Sequence, residues 1–205
     1  MNDQYFTRTP GSASRPEDCA FSYRGRALRF RTDAGVFSRG EVDEGTRILL
    51  EALPPLEGSV LDMGCGWGAV GVSLAAANPG ARLTLADVNL RALELSRGNA
   101  ERNGVTCEVL ESDGFAALGG RVFDTVVTNP PIRAGKQVIY RIFADALAAL
   151  RPGGSLYLVI RKQQGAESAF RYLETLSPEV ERISREAGYW VIRARKAAGE
   201  EKSHV

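Results

Sequence analysis

Two adjacent prolines close a run of β-branched residues at Phe123-Asp-Thr-Val-Val-Thr-Asn-Pro-Pro-Ile132. Thr125, Val126 and Val127 have the shape of a buried strand. Pro130 and Pro131 lack backbone N–H groups, so a ladder cannot pass them, and each holds its predecessor extended. What remains is a stiff turn at a strand's carboxyl end, presenting one amide side chain (Asn129) and carbonyls in fixed directions. Such groups can accept hydrogen bonds from a substrate and hold it in one orientation. Ligands of open α/β folds bind at that edge, and the turn is expected to be the catalytic wall.

A second constellation precedes it. Val60-Leu-Asp-Met-Gly-Cys-Gly-Trp-Gly68 reads as a strand running into a glycine loop and then a helix. Glycines let the backbone approach a ligand with no Cβ in the way, and the helix offers free N–H groups at its start. Gly66, Gly68 and Gly71 also satisfy G-x-G-x-x-G, so a nicotinamide dinucleotide has to be weighed. Asp87 lies about 20 residues past the loop, where a carboxylate can accept both hydroxyls of a ribose in either fold. Two further acids separate the readings. Asp62, directly before the glycines, would repel a pyrophosphate and favours an amine-bearing ligand. Asp113, at the end of the third strand, is placed to accept from an adenine amino group. An amino acid end, a ribose and an adenine together describe S-adenosylmethionine. Each acid alone reads as a cap or turn residue; at three successive strand ends they read as one site.

Asp62-Met-Gly-Cys-Gly-Trp-Gly68, Asp87, Asp113 and Asn129-Pro-Pro-Ile132 resemble the motif set of class I S-adenosylmethionine-dependent methyltransferases, over Ser59 to about Arg195. Thr32-Asp-Ala-Gly-Val-Phe-Ser38, Asp43-Glu-Gly-Thr46 and Asn129-Pro-Pro-Ile-Arg-Ala-Gly-Lys136 are similar to the ribosomal RNA small-subunit guanine-N2 methyltransferase family, particularly its short single-domain members. The resemblance implies cofactor contacts from Asp62, Gly64, Cys65, Gly66, Gly68, Asp87, Val88, Asn89, Asp113, Gly114 and Asn129, with Thr46 near the methionine end. It implies catalysis by Asn129 and Pro130 and substrate contacts from Pro131 and Ile132. Its partner would be ribosomal RNA or the small ribosomal subunit, and no metal is implied. Longer members carry two tandem methyltransferase-like domains; this chain has room for one.

The turn suits that chemistry. The lone pair of an exocyclic amine is delocalised into its ring. The Asn129 amide oxygen and the Pro130 carbonyl can each accept an N–H, turning the lone pair toward a sulfonium methyl and stabilising the charge that develops on nitrogen. No strong base is needed, so the position of the only histidine, His204, in the polar tail is no objection. Ring-carbon methylation would need a thiol beside the turn, whereas Cys65 falls in the glycine loop and Cys107 in a strand. Related enzymes often carry an aromatic residue after the second proline, stacked on a flipped base. Ile132 stands there, with no π-face. Phe37, on the loop before Asp43, is expected to supply part of that wall, against the plainer reading of a core aromatic under a hairpin. Arg133 and Lys136 could hold phosphates near the target. Two rivals stay open: a protein glutamine N-methyltransferase, which favours an aromatic at the Ile132 position, and a non-catalytic RNA-binding domain of the same fold.

These residues need a frame. From Ser59 onward strands and helices alternate, with Asn89 capping one helix and Asn103-Gly104 ending it. That alternation predicts an α/β fold, a doubly wound, mostly parallel, seven-stranded Rossmann-like sheet. A C-terminal antiparallel hairpin over 180–195 closes it. Ile139, Ile142, Phe143, Ala146, Leu147 and Leu150 mark one buried helical face, which Arg151-Pro-Gly-Gly154 is expected to terminate. Upstream, a hairpin around Arg24-Gly25-Arg26, a loop and a helix over 44–53 form an N-terminal extension (1–53) packed on the methyltransferase domain (54–205).

Composition bounds the rest. Hydrophobic content of 44% suits a chain with a real core. No apolar run approaches the roughly 18–20 residues of a bilayer span, and the polar start lacks the apolar stretch of a signal peptide. Cys19, Cys65 and Cys107 sit at unrelated spacings, which argues against a disulfide framework or zinc knuckle and fits a cytoplasmic protein. A net charge of +1 is not globally basic. Yet Arg24, Arg26, Arg29, Arg31 and Arg39 share a stretch whose only acid is Asp33, either a nucleic-acid footprint or a solvated strand face.

Overall fold

The structure, a computed structural model, describes residues 7–199; the opening MNDQYF and His204 lie outside them. The chain runs β1 (Glu17–Tyr23), β2 (Arg26–Thr32), α1 (Glu44–Ala52), β3 (Gly58–Met63), α2 (Ala69–Ala77), β4 (Ala81–Asp87), α3 (Leu90–Arg102) and β5 (Cys107–Glu111). It continues through β6 (Phe123–Thr128), α4 (Lys136–Ala148), β7 (Leu150–Arg161), α5 (Ala166–Glu174), β8 (Glu179–Glu186) and β9 (Tyr189–Arg195). Seven strands form one sheet in the order β5-β4-β3-β6-β7-β9-β8, the first five parallel and the β8–β9 hairpin antiparallel.

Both faces of the central strands are covered, which is why they carry runs of consecutive apolar residues rather than a strict alternation. Val60 and Val127 face a core built with α1, α2, α3 and the β1–β2 hairpin. Leu61 and Val126 face the opposite core, built with α4 and α5. The chain reverses between β3 and β6, so loops diverge there and leave a crevice at the carboxyl ends.

Local chemistry sets the boundaries. The β1–β2 turn uses two left-handed residues, Arg24 and Gly25, as a two-residue hairpin requires. Asn89 caps α3 by accepting the Ala92 N–H at 3.1 Å. Gly104 ends it: its N–H donates to Glu101 O and that of Val105 to Ala100 O. Val105 is thereby spent on the cap, and β5 begins at Cys107 rather than at 105. Residues 151–154 differ from expectation. They do not form a loop, since β7 starts at Leu150 and runs through Pro152-Gly-Gly154. A register shift between Phe123 and Thr125 absorbs the extra residues.

Gly71 in α2 explains how close this helix lies to the sheet. A Cβ there would meet the Leu85 side chain at 2.6 Å. Alanine would gain roughly 0.5–1 kcal/mol of helix preference but lose about 1–3 kcal/mol to overpacking. Gly71→Ala should therefore lower the urea midpoint, and Leu85→Val in the same chain should restore part of it. A Gly71→Ala protein as stable as the parent would show that the close approach is not limiting.

Candidate active site

Asp62 stands opposite Val127 in the β3–β6 pair, so the two strands end level. The Thr128 hydroxyl donates to Met63 O at 2.8 Å and ties them together. Beyond these ends lies a cleft of about 320 Å³, lined by the glycine loop, the ends of β4 and β5, the Asn129-Pro-Pro turn and the first turns of α1 and α4. That is near the lower end of the ~300–1,000 Å³ of small-molecule sites.

Four carboxylates, those of Asp43, Asp62, Asp87 and Asp113, line the cleft; no Lys, Arg or His among the described residues does. Burial pushes the Asp62 carboxyl up to about 7, with the Gly71 N–H opposing and the Asp87 charge adding. That N–H donates to Asp62 at 2.8 Å. Burial raises Asp87 as well, against the N–H groups of Asn89 (2.9 Å) and Gly66 (2.8 Å) that its two oxygens accept. Asp87 thus clamps the glycine loop to the start of α3 while facing the cleft. Such a site disfavours a pyrophosphate and favours a ligand that brings positive charge.

Asp113 is exposed at the cleft's edge, on a turn held by the Ser112 hydroxyl, which donates to Gly114 O at 2.6 Å. Gly64, Cys65, Gly66, Val88 and Gly114 line the cleft; Gly68 and the Asn89 side chain do not. Gly68 is the left-handed residue before α2. Asn89 is fully buried, one end of its amide capping α3 and the other donating to Gly35 O at 3.0 Å. Burial also raises the Cys65 thiol well above its ordinary value, and that of Cys107 to about 12, so neither is an activated nucleophile.

The Asn129 amide is held in one orientation. Its Nδ2 donates to Thr46 Oγ1 at 3.0 Å, with Asp43 Oδ1 at 3.5 Å. No described group donates to Oδ1, which is not among the buried unpaired atoms. An acceptor is therefore left open beside Pro130 and Pro131, which share the cleft wall. Thr46 itself is buried in the first turn of α1, where Asp43, the N-cap, accepts its N–H at 3.2 Å.

Ile132 packs half-buried against the α4 core and does not line the cleft. Arg133 and Lys136 are exposed just outside it, Lys136 lying over the Tyr140 ring at 5.1 Å. Phe37 lines the cleft and is 39% exposed. Several lining residues receive no role from the sequence, Asp43, Trp67 and Val138 among them. Asp43 carries a signal, an acid just before a helical apolar pattern. Trp67 shows only as an aromatic inside the glycine loop; its indole N–H donates to Phe37 O at 2.8 Å and its ring meets Phe30 edge-on at 5.1 Å. Val138 carries none. Of the arginine stretch, Arg31 pairs with Asp18 (2.8 Å), Arg39 with Glu17 (3.3 Å), and Arg24 donates to Leu53 O. Arg26 and Arg29 stay exposed.

This sheet order, with its closing hairpin and the acid-lined cleft at its reversal point, is the Rossmann-like methyltransferase architecture. Residues 27–193 match the family model described as Methyltransferase small domain, and the chain belongs to that family. The uncharacterised protein YbxB of Bacillus subtilis (strain 168) is 41% identical over 200 residues, covering 96% of this chain and 100% of that protein. Ribosomal RNA small subunit methyltransferase C of Hahella chejuensis (strain KCTC 2396) is 43% identical over 66% of this chain and 41% of its own length. Among solved structures, the 16S rRNA N2-guanine methyltransferase of T. thermophilus, in complex with AdoMet and guanosine, matches with a TM-score of 0.80. It is 29% identical, over 88% of this chain and 50% of that one. The chain thus spans half or less of the ribosomal methyltransferases it resembles. No helix among the described residues is long and apolar enough to cross a membrane.

The buried acid makes a pH prediction. Asp62 titrates near 3.8 in the unfolded chain and at about 7 in the folded one. The native state therefore holds the extra proton in that window, and stability falls as pH rises from about 4 to about 7. Asp62→Asn keeps an oxygen for the Gly71 N–H and removes that slope. Its urea midpoint should gain on the parent's between these two pH values; parallel profiles would show that Asp62 ionises without cost.

Proposed function

We propose that this chain transfers a methyl group from S-adenosylmethionine to an exocyclic amine, guanine N2 of ribosomal RNA. The observation that carries the reading is the Asn129 amide, whose nitrogen is engaged by Thr46 and whose oxygen is left as an acceptor on the cleft wall. A guanine N2 amine offers two N–H groups, matched by Asn129 Oδ1 and the Pro130 carbonyl. Accepting both fixes the amine's lone pair in one direction and stabilises positive charge as it develops on nitrogen. The N–H becomes acidic as that charge grows, and its proton passes to water.

The lining fits the cofactor. Asp87 would take the ribose hydroxyls, Asp113 the adenine amino group, and Asp62 would face the ammonium of the methionine end; Gly64, Cys65, Gly66, Val88 and Gly114 supply the surrounding wall. When bound, S-adenosylmethionine supplies an electrophilic methyl on a sulfonium centre. The raised Asp62 and Asp87 carboxyls suit a ligand whose positive charge lets them ionise. Arg133 and Lys136 would take phosphates of the substrate strand. The likeness to ribosomal methyltransferases supports ribosomal RNA, alone or in the small subunit, as the partner.

Nucleoside mass spectrometry of ribosomal RNA from a deletion strain, before and after incubation with the protein, should show one added N2-methylguanosine. A methylated protein glutamine with unchanged RNA would favour the rival substrate class. Asn129→Ala should lower transfer by about 100-fold or more while leaving cofactor affinity within a few-fold. A large loss of affinity would assign the turn to the cofactor site instead. Asp87→Ala should act the other way, weakening cofactor binding in calorimetry by about 1–3 kcal/mol.

A further inference from the structure

Phe37 and Val138 are among the few large apolar side chains left well exposed, at 39% and 45%. Both line the cleft, whereas the similarly exposed Val122 and Leu176 do not. They arrive from opposite faces of the sheet. Phe37 belongs to the loop between β2 and α1, beside Val36 in the first core, and Val138 to the first turn of α4, whose neighbour Ile139 is anchored in the second. Neither is loosely placed. The Trp67 indole N–H grips the carbonyls of Phe37 (2.8 Å) and Ser38 (3.2 Å), and Trp67 is itself buried. Ala134 and Ile142 continue the Val138 wall, while Ile132 turns to the core.

We infer that Phe37 and Val138 are the two walls of the slot that receives the target base. This rests on the guanine-N2 reading and adds the residues that select the substrate. A base stacked in a duplex cannot bring its amine to Asn129, within the cleft. An aromatic ring on one side and a branched aliphatic on the other cover both faces of a flat base once it is extruded, and leave its edge toward the Asn129-Pro-Pro turn. The charge beside the slot suits a polynucleotide: Arg133 and Lys136 follow the turn within seven residues of Asn129, whereas Arg141 is paired with Asp145 at 3.6 Å. Arg133 and Lys136 are exposed at the slot's side. Val138 thus takes the place that an aromatic after the second proline would fill, and Ile132 does not grip the base.

Steady-state methylation of ribosomal RNA at saturating S-adenosylmethionine tests this with Phe37→Ala, Val138→Ala, Ile132→Ala and the control Leu176→Ala. The RNA KM should rise roughly tenfold for Phe37→Ala and severalfold for Val138→Ala. Cofactor Kd should stay within about twofold for both variants. Ile132→Ala should instead lower the melting temperature and leave KM alone, as should Leu176→Ala for KM. Val138→Phe should lower KM. An unchanged KM in Val138→Ala, or a raised one in Ile132→Ala, overturns the slot while leaving the guanine-N2 reading intact. If the parent protein forms no N2-methylguanosine on the RNA, that reading falls and the slot with it.

Discussion

The parallel pairing of β3 with β6 is the constraint on which the site depends. With Asp62 opposite Val127, the Gly64 and Cys65 N–H groups both reach Ala86 O on β4, at 2.8 and 3.1 Å, while Thr128 reaches back to Met63 on the other side. The glycine loop and the proline turn are therefore fixed to one another through the sheet and not through the cleft between them. A slip of one residue would displace Asn129 by about 3.3 Å and remove its amide from Thr46. The prolines protect that placement, because a turn without N–H groups cannot be recruited into a longer ladder.

The cleft opposes the stability that the sheet provides. Asp62 and Asp87 are held where burial disfavours their charge, and each accepts backbone N–H groups that only partly offset it. A core chosen for stability alone would not keep two carboxyls there. Conflicts of that kind, local cost against global order, mark positions retained for a ligand. Asp43 shows the opposite economy. One carboxylate caps α1 and lies beside the amide on the cleft wall, so a secondary-structure signal also orients the site.

The frame was readable because its punctuation is local. Asn89, Gly104 and the double proline act within a few residues of their own position, and alternating strands and helices leave few topologies to consider. Contacts made across the fold were not readable. Asn129 and Thr46 are 83 residues apart, and Trp67 and Phe37 are 30 apart; nothing near either residue announces its partner. Asn89 illustrates a subtler loss: its cap was legible, but not that the other end of its amide would turn to Gly35 and away from the cleft. Position after a motif misleads in the same way. Ile132 directly follows the prolines, yet the 3₁₀ turn over Ile132–Ala134 rotates it to the core and lets α4 bring Val138 to the rim. The arginine stretch looked uniform because its acids, Glu17 and Asp18, sit on the partner strand β1.

Charge is divided accordingly. The cleft has four carboxylates, and Arg133 and Lys136 stand outside it. At atomic separations an arginine inside would pair with Asp62 or Asp87, lower both carboxyls and leave a neutral site indifferent to a cation. Outside, the same charge acts through solvent over roughly 8–10 Å at physiological salt, too weakly to neutralise the buried acids; on the proposed function it is far enough to draw in a phosphate chain. Under that proposal a cationic donor and an anionic acceptor would meet at one strand end, each held by the charge the other would repel. The turn between them is uncharged, and a neutral amide with proline carbonyls favours neither partner by its own charge.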